Sequence, residues 1–274
     1  MKRELNINET QVVSLEILKK IAEICEKKNL KYYLMYGTLI GAVRHEGFIP
    51  WDDDLDIMMP RNDYDKLIEY LLNNMNELKN LKVFNHETCK NYPYMITRVS
   101  DDRYSIKMDN EKDFGMGIFI DIYPYDGLGN TKEEALKFAK KGDYLSSLCY
   151  QATRKRYAIE TTTSLWKKIM KAPVFVFAKM CGKDIFQDKL SKLARIKGYY
   201  QSNYVGCVTW LSGGEKDIFK REWFDDFEKV KFENYYFRIP KEYDKILTHI
   251  YGDYMKLPNP EDRIGHHFYK AFKK

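Results

Sequence analysis

The residues best suited to chemistry lie in one run, "GTLIGAVRHEGFIPWDDDLDIMMPR" (37–61), where aspartates occupy positions 52, 53, 54 and 56. Carboxylates repel one another, and a carboxylate on an apolar strand is costly to desolvate. A bound cation relieves both penalties. Pro50 and Pro60 bracket "WDDDLDIMM", which leaves room for a strand but not for a long helix. Alternate side chains of a strand share a face, so Asp54 and Asp56 point one way while Leu55 and Ile57 point into a core. Two carboxylates side by side at a strand end suit Mg²⁺, a hard cation that takes a few carboxylates plus substrate phosphates. By the same alternation Asp53 turns away, toward a supporting or capping bond.

Two other uses of the cluster fit less well. Asp52, Asp54 and Asp56 match positions 1, 3 and 5 of a calcium loop, but the glycine and glutamate required later in that loop are replaced by Ile57 and Asp63. Asp52-Asp53-x-x-Asp56 also resembles the diphosphate-binding box of isoprenoid synthases, which lies on a long helix that the two prolines forbid.

Two-metal phosphoryl chemistry sets its ions roughly 4 Å apart, and a third carboxylate from another strand completes such a site. "GIFIDIYPYDG" (117–127) offers Asp121 on the face opposite Ile118, Ile120 and Ile122. Its partner is a metal or, alternatively, a buried arginine or backbone group. Asp126 in the same run reads as a turn residue. Upstream, Gly37 and Thr38 fall between a strand and a helix start, where glycine admits a ligand close to the backbone and free N–H groups meet phosphate oxygens. Arg44 and His45 follow. The guanidinium fork suits phosphate, although an exposed helix end explains the pair equally well.

Arg263 and His267 are further candidates for substrate contact. Adjacent His266 and His267 make a poor zinc pair without Cys or Glu at ligand spacing. Tyr32, Tyr33, Tyr36, Trp51, Tyr92 and Tyr94 could cage a quaternary ammonium, but in a chain with 22 tyrosines core packing is the favoured account.

Positioning these groups calls for particular elements. The apolar rhythm predicts a helix over 9–29, a short strand at 31–37, one or two helical turns over 38–45 and an Asn-capped helix at 62–75. Strands are expected at 81–85, 92–100 and 117–125, helices through about 131–200, short strands after that, and a helix at 241–251. The fold class expected is α+β: a mixed sheet flanked by helices, with a mostly helical additional region. A catalytic core over 1–130 and a completing region over 131–274 is the simplest division, with a soft boundary.

The composition narrows the class of function. At 44% apolar and 31% charged residues the chain reads as a globular protein rather than a disordered one. A net charge of +6 suits anionic substrates or a membrane surface and falls short of a nucleic-acid-binding tail. Five scattered cysteines without a C-x-x-C pair fit a reducing compartment. The first twenty or so residues lack the apolar run of a signal peptide, and no stretch reaches the roughly 18 apolar residues of a membrane span, so a cytoplasmic protein is expected. "SLWKKIMKAPVFVFAKMC" (164–181) mixes lysines with large apolar residues. It could lie in a membrane interface or pack on the catalytic region.

Gly-Thr after a strand, an Asp-x-Asp strand and a third Asp on a later strand resemble the polymerase-beta-like nucleotidyltransferase superfamily. More specifically, "YGTLIGAVRHEGFIPWDDDLDIMMPRNDYDKL" resembles the LicD family of phosphocholine transferases and fukutin-type phosphotransferases, as do "FIDIYPYDG" and "YGDYMKLPNPEDRIGHH". Residues 131–200 carry no such likeness. The resemblance implies a nucleotidyltransferase-like core in which Gly37 and Thr38 contact nucleotide phosphates. It also implies that Asp54, Asp56 and Asp121 bind Mg²⁺ or Mn²⁺, with Asp121 helping to activate the acceptor hydroxyl. The implied reaction moves phosphocholine from CDP-choline, or glycerol or ribitol phosphate from its CDP donor, to a sugar hydroxyl of a cell-surface glycan such as teichoic acid or capsular polysaccharide. CMP is the leaving group. The implied setting is the cytoplasm, with a lipid-linked acceptor and peripheral association at the inner membrane face as further expectations. A GT-A-type Asp-x-Asp glycosyltransferase and a catalytically inactive binding protein on the same fold are the alternatives.

Overall fold

The structure is a computed structural model describing residues 3–90, 92–108, 111–155, 157, 165–210, 214–263 and 269–274. Helix α1 (Ile7–Lys27) opens with a reciprocal cap. The Asn6 side chain accepts from the Glu9 N–H, and the Glu9 carboxylate accepts from the Asn6 N–H, each at 3.0 Å. Its apolar stripe, including Ile17, Leu18, Ile21 and Cys25, is buried. Asn29 then takes the left-handed conformation that ends the run (φ 52°).

Strand β1 (Tyr33–Leu34) is shorter than its sequence suggests, because Tyr36 also turns left-handed and begins helix α2 (Tyr36–Ile40). One wide helical turn, Gly41–His45, extends α2. Strand β2 (Asp56–Pro60) runs straight into helix α3 (Arg61–Asn73), so Pro60 rather than Asn62 stands at the cap. Then follow β3 (Leu81–Phe84), β4 (Thr97–Asp101), β5 (Tyr104–Met108) and the long β6 (Ile118–Gly129). Helices α4 (Lys132–Thr153), α5 (Leu165–Cys181) and α6 (Lys183–Ala194) occupy the region expected to be helical. The chain closes with β7 (Tyr204–Gly206), β8 (Phe219–Lys220), the hairpin β9 (Phe227–Phe232) and β10 (Tyr235–Pro240), helix α7 (Tyr243–Tyr251) and β11 (Tyr269–Lys273). The fold is α+β.

The central sheet is mixed, in the order β1-β2-β6-β4-β3, with β7 on the far half of β6 and β8 on β7. Strands β2 and β6 are parallel, with Asp56 directly beside Asp121; β4 runs antiparallel to β6 with Arg98 opposite Asp121. Strand β6 tolerates Pro124 because of where its partners end. On that edge β4 stops at Ile122 and β7 begins at Asp126, so no ladder bond is asked of the missing N–H.

Asp126 corrects the turn reading. It is a fully buried residue of β6, gripped by Arg61 Nε at 2.7 Å and Nη2 at 3.0 Å. Because β6 continues through 126–129 to pair with β7, the "YDG" signature is overridden by the sheet. Breaking a buried ion pair by removing one charge typically costs about 3–5 kcal/mol. Asp126→Asn is therefore expected to lower the melting temperature by many degrees, with Asp65→Asn, at Arg61's exposed side, close to wild type; a denaturation curve for each checks this.

Candidate active site

The loop before β2 is fastened at several points. The Asp52 N–H donates to the Ile49 carbonyl (2.9 Å), and the Gln11 amide donates to the Asp52 carbonyl (2.7 Å). Register with β6 already begins at Leu55, whose carbonyl accepts from the Asp121 N–H at 2.9 Å. On the other side the Asp56 carbonyl accepts from the Met35 N–H at 3.0 Å, and the Asp56 N–H donates to Thr38 Oγ1 at 2.8 Å. Thr38 is thus buried beneath the aspartates and fixes where β2 starts. A Cβ at Gly37 would sit 2.7 Å from the Asp52 carboxylate, which would have to swing aside to admit it.

Asp52, Asp54 and Asp56 line one open cavity of about 580 Å³. Its walls come from two distant parts of the chain: Tyr36, Gly37, Arg44 and Trp51 on one side, and Tyr251, Asp253, Tyr254, Asn259 and Asp262 on the other. Asp54 lies just ahead of β2 rather than within it. It nevertheless faces the same cavity as Asp56, while Leu55 and Ile57 are wholly buried. Asp53 goes elsewhere and bonds the Tyr269 hydroxyl.

The electrostatics single out Asp56. Burial, then the Asp54, Asp121 and Asp52 charges, push its carboxyl well above the usual carboxylate range. Its Oδ1 is buried with no hydrogen-bond partner. Burial, then the Asp56, Asp52, Asp217 and Asp54 charges, also raise the Tyr251 phenol. Asp121 is placed differently. Arg98 holds it through Nε at 2.6 Å and Nη2 at 3.3 Å, and the guanidinium itself lies 4.4 Å from the Tyr94 ring centroid and 4.2 Å from that of Phe119.

An unpartnered buried carboxylate oxygen among mutually repelling acids is the environment a divalent cation would satisfy, and Asp54 and Asp56 fit that role. Among the described residues no three acids, histidines or cysteines converge closely enough to form a ready-made metal cage. Asp121 is adjacent to Asp56 in register but turned to Arg98.

The remaining candidates divide. Arg44 lines the cavity and donates from Nη1 to the Tyr254 carbonyl at 2.6 Å; its Nε donates to His45 Nε2 at 3.0 Å. Tyr32, Tyr33, Tyr92 and Tyr94 are core, whereas Tyr36 and Trp51 reach the cavity. The Arg263 guanidinium lies 5.5 Å from the Trp51 ring centroid, and its Nε donates to the Pro258 carbonyl. His266 and His267 lie outside the described residues. Tyr251, Asp253, Tyr254 and Arg98 were not anticipated. The run "YGDY" at 251–254 offered some signal, with tyrosines and an acid packed around a glycine.

A mixed sheet that sets an acid pair beside a cavity is the arrangement of a nucleotidyltransferase domain, and residues 29–153 match the LicD/FKTN/FKRP nucleotidyltransferase domain. The chain is 32% identical over 272 residues to the lipopolysaccharide cholinephosphotransferase LicD of Haemophilus influenzae, which spans 98% of this chain and 99% of that protein. It is also 45% identical over 62 residues to an uncharacterized protein of Rickettsia typhi, covering 22% of this chain and 20% of the other. The chain belongs to the LicD family and is a transferase.

The sign of the Asp56 effect is testable without turnover. Its charged form is costly in the fold but not in the unfolded chain. The cost is absent in acid, where both states hold the proton, and grows as pH rises above the ordinary carboxylate value of about 4. Without divalent cation, Asp56→Asn should melt a few degrees higher than wild type at neutral pH, and the gain should vanish in acid. Mg²⁺ should raise the melting temperature of wild type more than that of the variant. Asp121→Asn should instead destabilise, because it strands the buried Arg98 charge. Equal melting of Asp56→Asn and wild type at neutral pH would refute the assignment.

Proposed function

We propose that this protein transfers phosphocholine from CDP-choline to a sugar hydroxyl of a cell-surface glycan, such as lipopolysaccharide, teichoic acid or capsular polysaccharide. The likeness over nearly the whole chain to a lipopolysaccharide cholinephosphotransferase carries this reading. The cavity supports it, since it unites acids suited to a cation with Tyr36, Trp51, Tyr251 and Tyr254, and aromatic faces attract a quaternary ammonium. That lining favours choline over glycerol or ribitol as the alcohol. In this scheme the acceptor oxygen bonds to the phosphocholine phosphorus, the bond to the CMP oxygen breaks, and CMP leaves with the electron pair. The hydroxyl proton passes to a carboxylate of the cluster.

Mg²⁺ or Mn²⁺ held by Asp54 and Asp56, with Asp121 as third acid, would supply positive charge to the phosphate oxygens. The chain's own part is mostly positioning, because phosphoryl transfer asks little covalent chemistry of the protein. Gly37 allows close backbone approach, and Arg44 adds a fixed positive charge to the wall. Thr38 serves by anchoring Asp56. No helix among the described residues is long and apolar enough to cross a membrane. We place the reaction on the cytoplasmic side, with the acceptor glycan carried on lipid.

Asp54→Asn and Asp56→Asn are each expected to lower turnover at saturating Mg²⁺ by at least about 100-fold while the protein stays folded, whereas Asp53→Asn should be milder. CDP-choline with Mg²⁺ should raise the melting temperature more than CDP-glycerol, CDP-ribitol or UDP-sugars do. Stabilisation by UDP-sugars alone would point to glycosyl transfer instead.

A further inference from the structure

Helix α5 carries an apolar stripe that stays exposed among the described residues. Trp166, Ile169, Val176, Phe177 and Met180 recur at helical spacing and fall within about 100° of arc. All five are exposed, Trp166 at 77% and Met180 at 82%. Among the described α5 side chains only Ala178 is fully buried, against Leu148, Phe186 and Leu190. Phe175 is half-buried and packs its ring on Tyr157 at 5.2 Å. The helix is thus held along one edge and presents its large apolar residues outward.

That edge is fastened firmly. Lys179 Nζ donates to the Ala152 carbonyl at 3.0 Å and to the Arg154 carbonyl, so a cation closes the carbonyl end of α4. An exposed stripe on a well-anchored helix calls for an occupant. The charge of α5 says which: it holds Lys167, Lys168, Lys171 and Lys179 and no acidic residue. Pairing with a second copy would set one helix of four lysines and no acid against another, with no charge complementarity between them. A surface of anionic lipid meets both properties at once, with the apolar stripe in the acyl boundary and the net positive charge of the helix attracted to the phosphates. At 17 residues, about 25 Å, the helix is too short to cross the roughly 30 Å hydrocarbon core.

We propose that α5 is a membrane-docking helix that lies along an anionic bilayer, with Trp166, Ile169, Val176, Phe177 and Met180 inserted and the net positive charge of the helix drawn to the anionic headgroups. The proposal stands apart from the transfer chemistry and holds whatever group the enzyme moves.

Co-sedimentation of the full chain with vesicles of phosphatidylcholine, alone or mixed with phosphatidylglycerol, tests it. Binding is expected to the mixed vesicles at low salt, to weaken at high salt, and to be slight with phosphatidylcholine alone. Trp166→Ala combined with Phe177→Ala should reduce binding by about tenfold or more, the order expected for removing two large apolar contacts. Because both side chains are exposed, the melting temperature and turnover on a soluble acceptor should be unchanged. No binding to the mixed vesicles at low salt, or equal binding by the double variant, would overturn the proposal. So would a wild-type dimer in sedimentation analysis that the double variant converts to monomer without any lipid binding, because the stripe would then be a contact between copies.

Discussion

Asp56 and Asp121 are paired neighbours on parallel strands, and both are buried. Two carboxylates so placed repel strongly at low dielectric, and no side-chain rotation removes them from each other's field. The sheet answers on one side only. Strand β4 sets Arg98 opposite Asp121, so the protein itself supplies that acid with a counter-charge. Asp56 receives no such partner: its Oδ1 remains unmatched, and Asp54 and Asp52 add further negative charge from the cavity side. One acid is neutralised from within the fold. The other has no counter-charge of its own among the described residues. This asymmetry depends on the register of three strands.

The counter-charge needs support of its own, because a buried guanidinium is as costly as a buried carboxylate. Tyr94 and Phe119 flank Arg98 with ring faces, which favour a cation. Tyr94 is buried, and burial together with Glu111 raises its phenol to about 12, so it stays a hydrogen-bond donor. It donates to Glu111, which also accepts from Arg154 Nη1 at 2.8 Å. Arg154 ends α4, and its carbonyl accepts from Lys179 of α5. A continuous chain of charge and aromatic contacts thus ties the helical layer to the sheet at Asp121. These contacts fix where the helices sit, and with them the direction in which the α5 stripe faces.

Local pattern made part of this legible and concealed the rest. The strand and its acids were readable because alternation and two prolines act within a few residues: Leu55 and Ile57 are core, and Asp54 and Asp56 share the cavity. The stripe of α1 and the helices of 132–194 were readable for the same reason. Asp126 was misread because a turn signature is local, whereas its strand pairing with β7 comes from some 80 residues further on. Arg98 gave no sign of its role. Its function is defined by register with Asp121 across a strand pair, and register is set by tertiary packing. Tyr251 and Asp253 were missed because the cavity joins segments about 200 residues apart.

Arg44 shows how that join is made and what it leaves available. Its Nη1 donates to the Tyr254 carbonyl at 2.6 Å and more distantly to the Lys256 carbonyl, which latches the chain after α7 onto the turn that follows α2. Its Nε donates to His45 Nε2, so that nitrogen must present a lone pair and the ring must be neutral. Burial and the Arg44 charge lower the His45 pKa, in keeping with that state. Every one of these acceptors is uncharged. An arginine paired with a carboxylate would have its field cancelled at the wall of the cavity. One held by carbonyls and a neutral imidazole keeps its full positive charge while its position is fixed. Arg44 therefore joins the two walls of the cavity while none of these bonds cancels its charge.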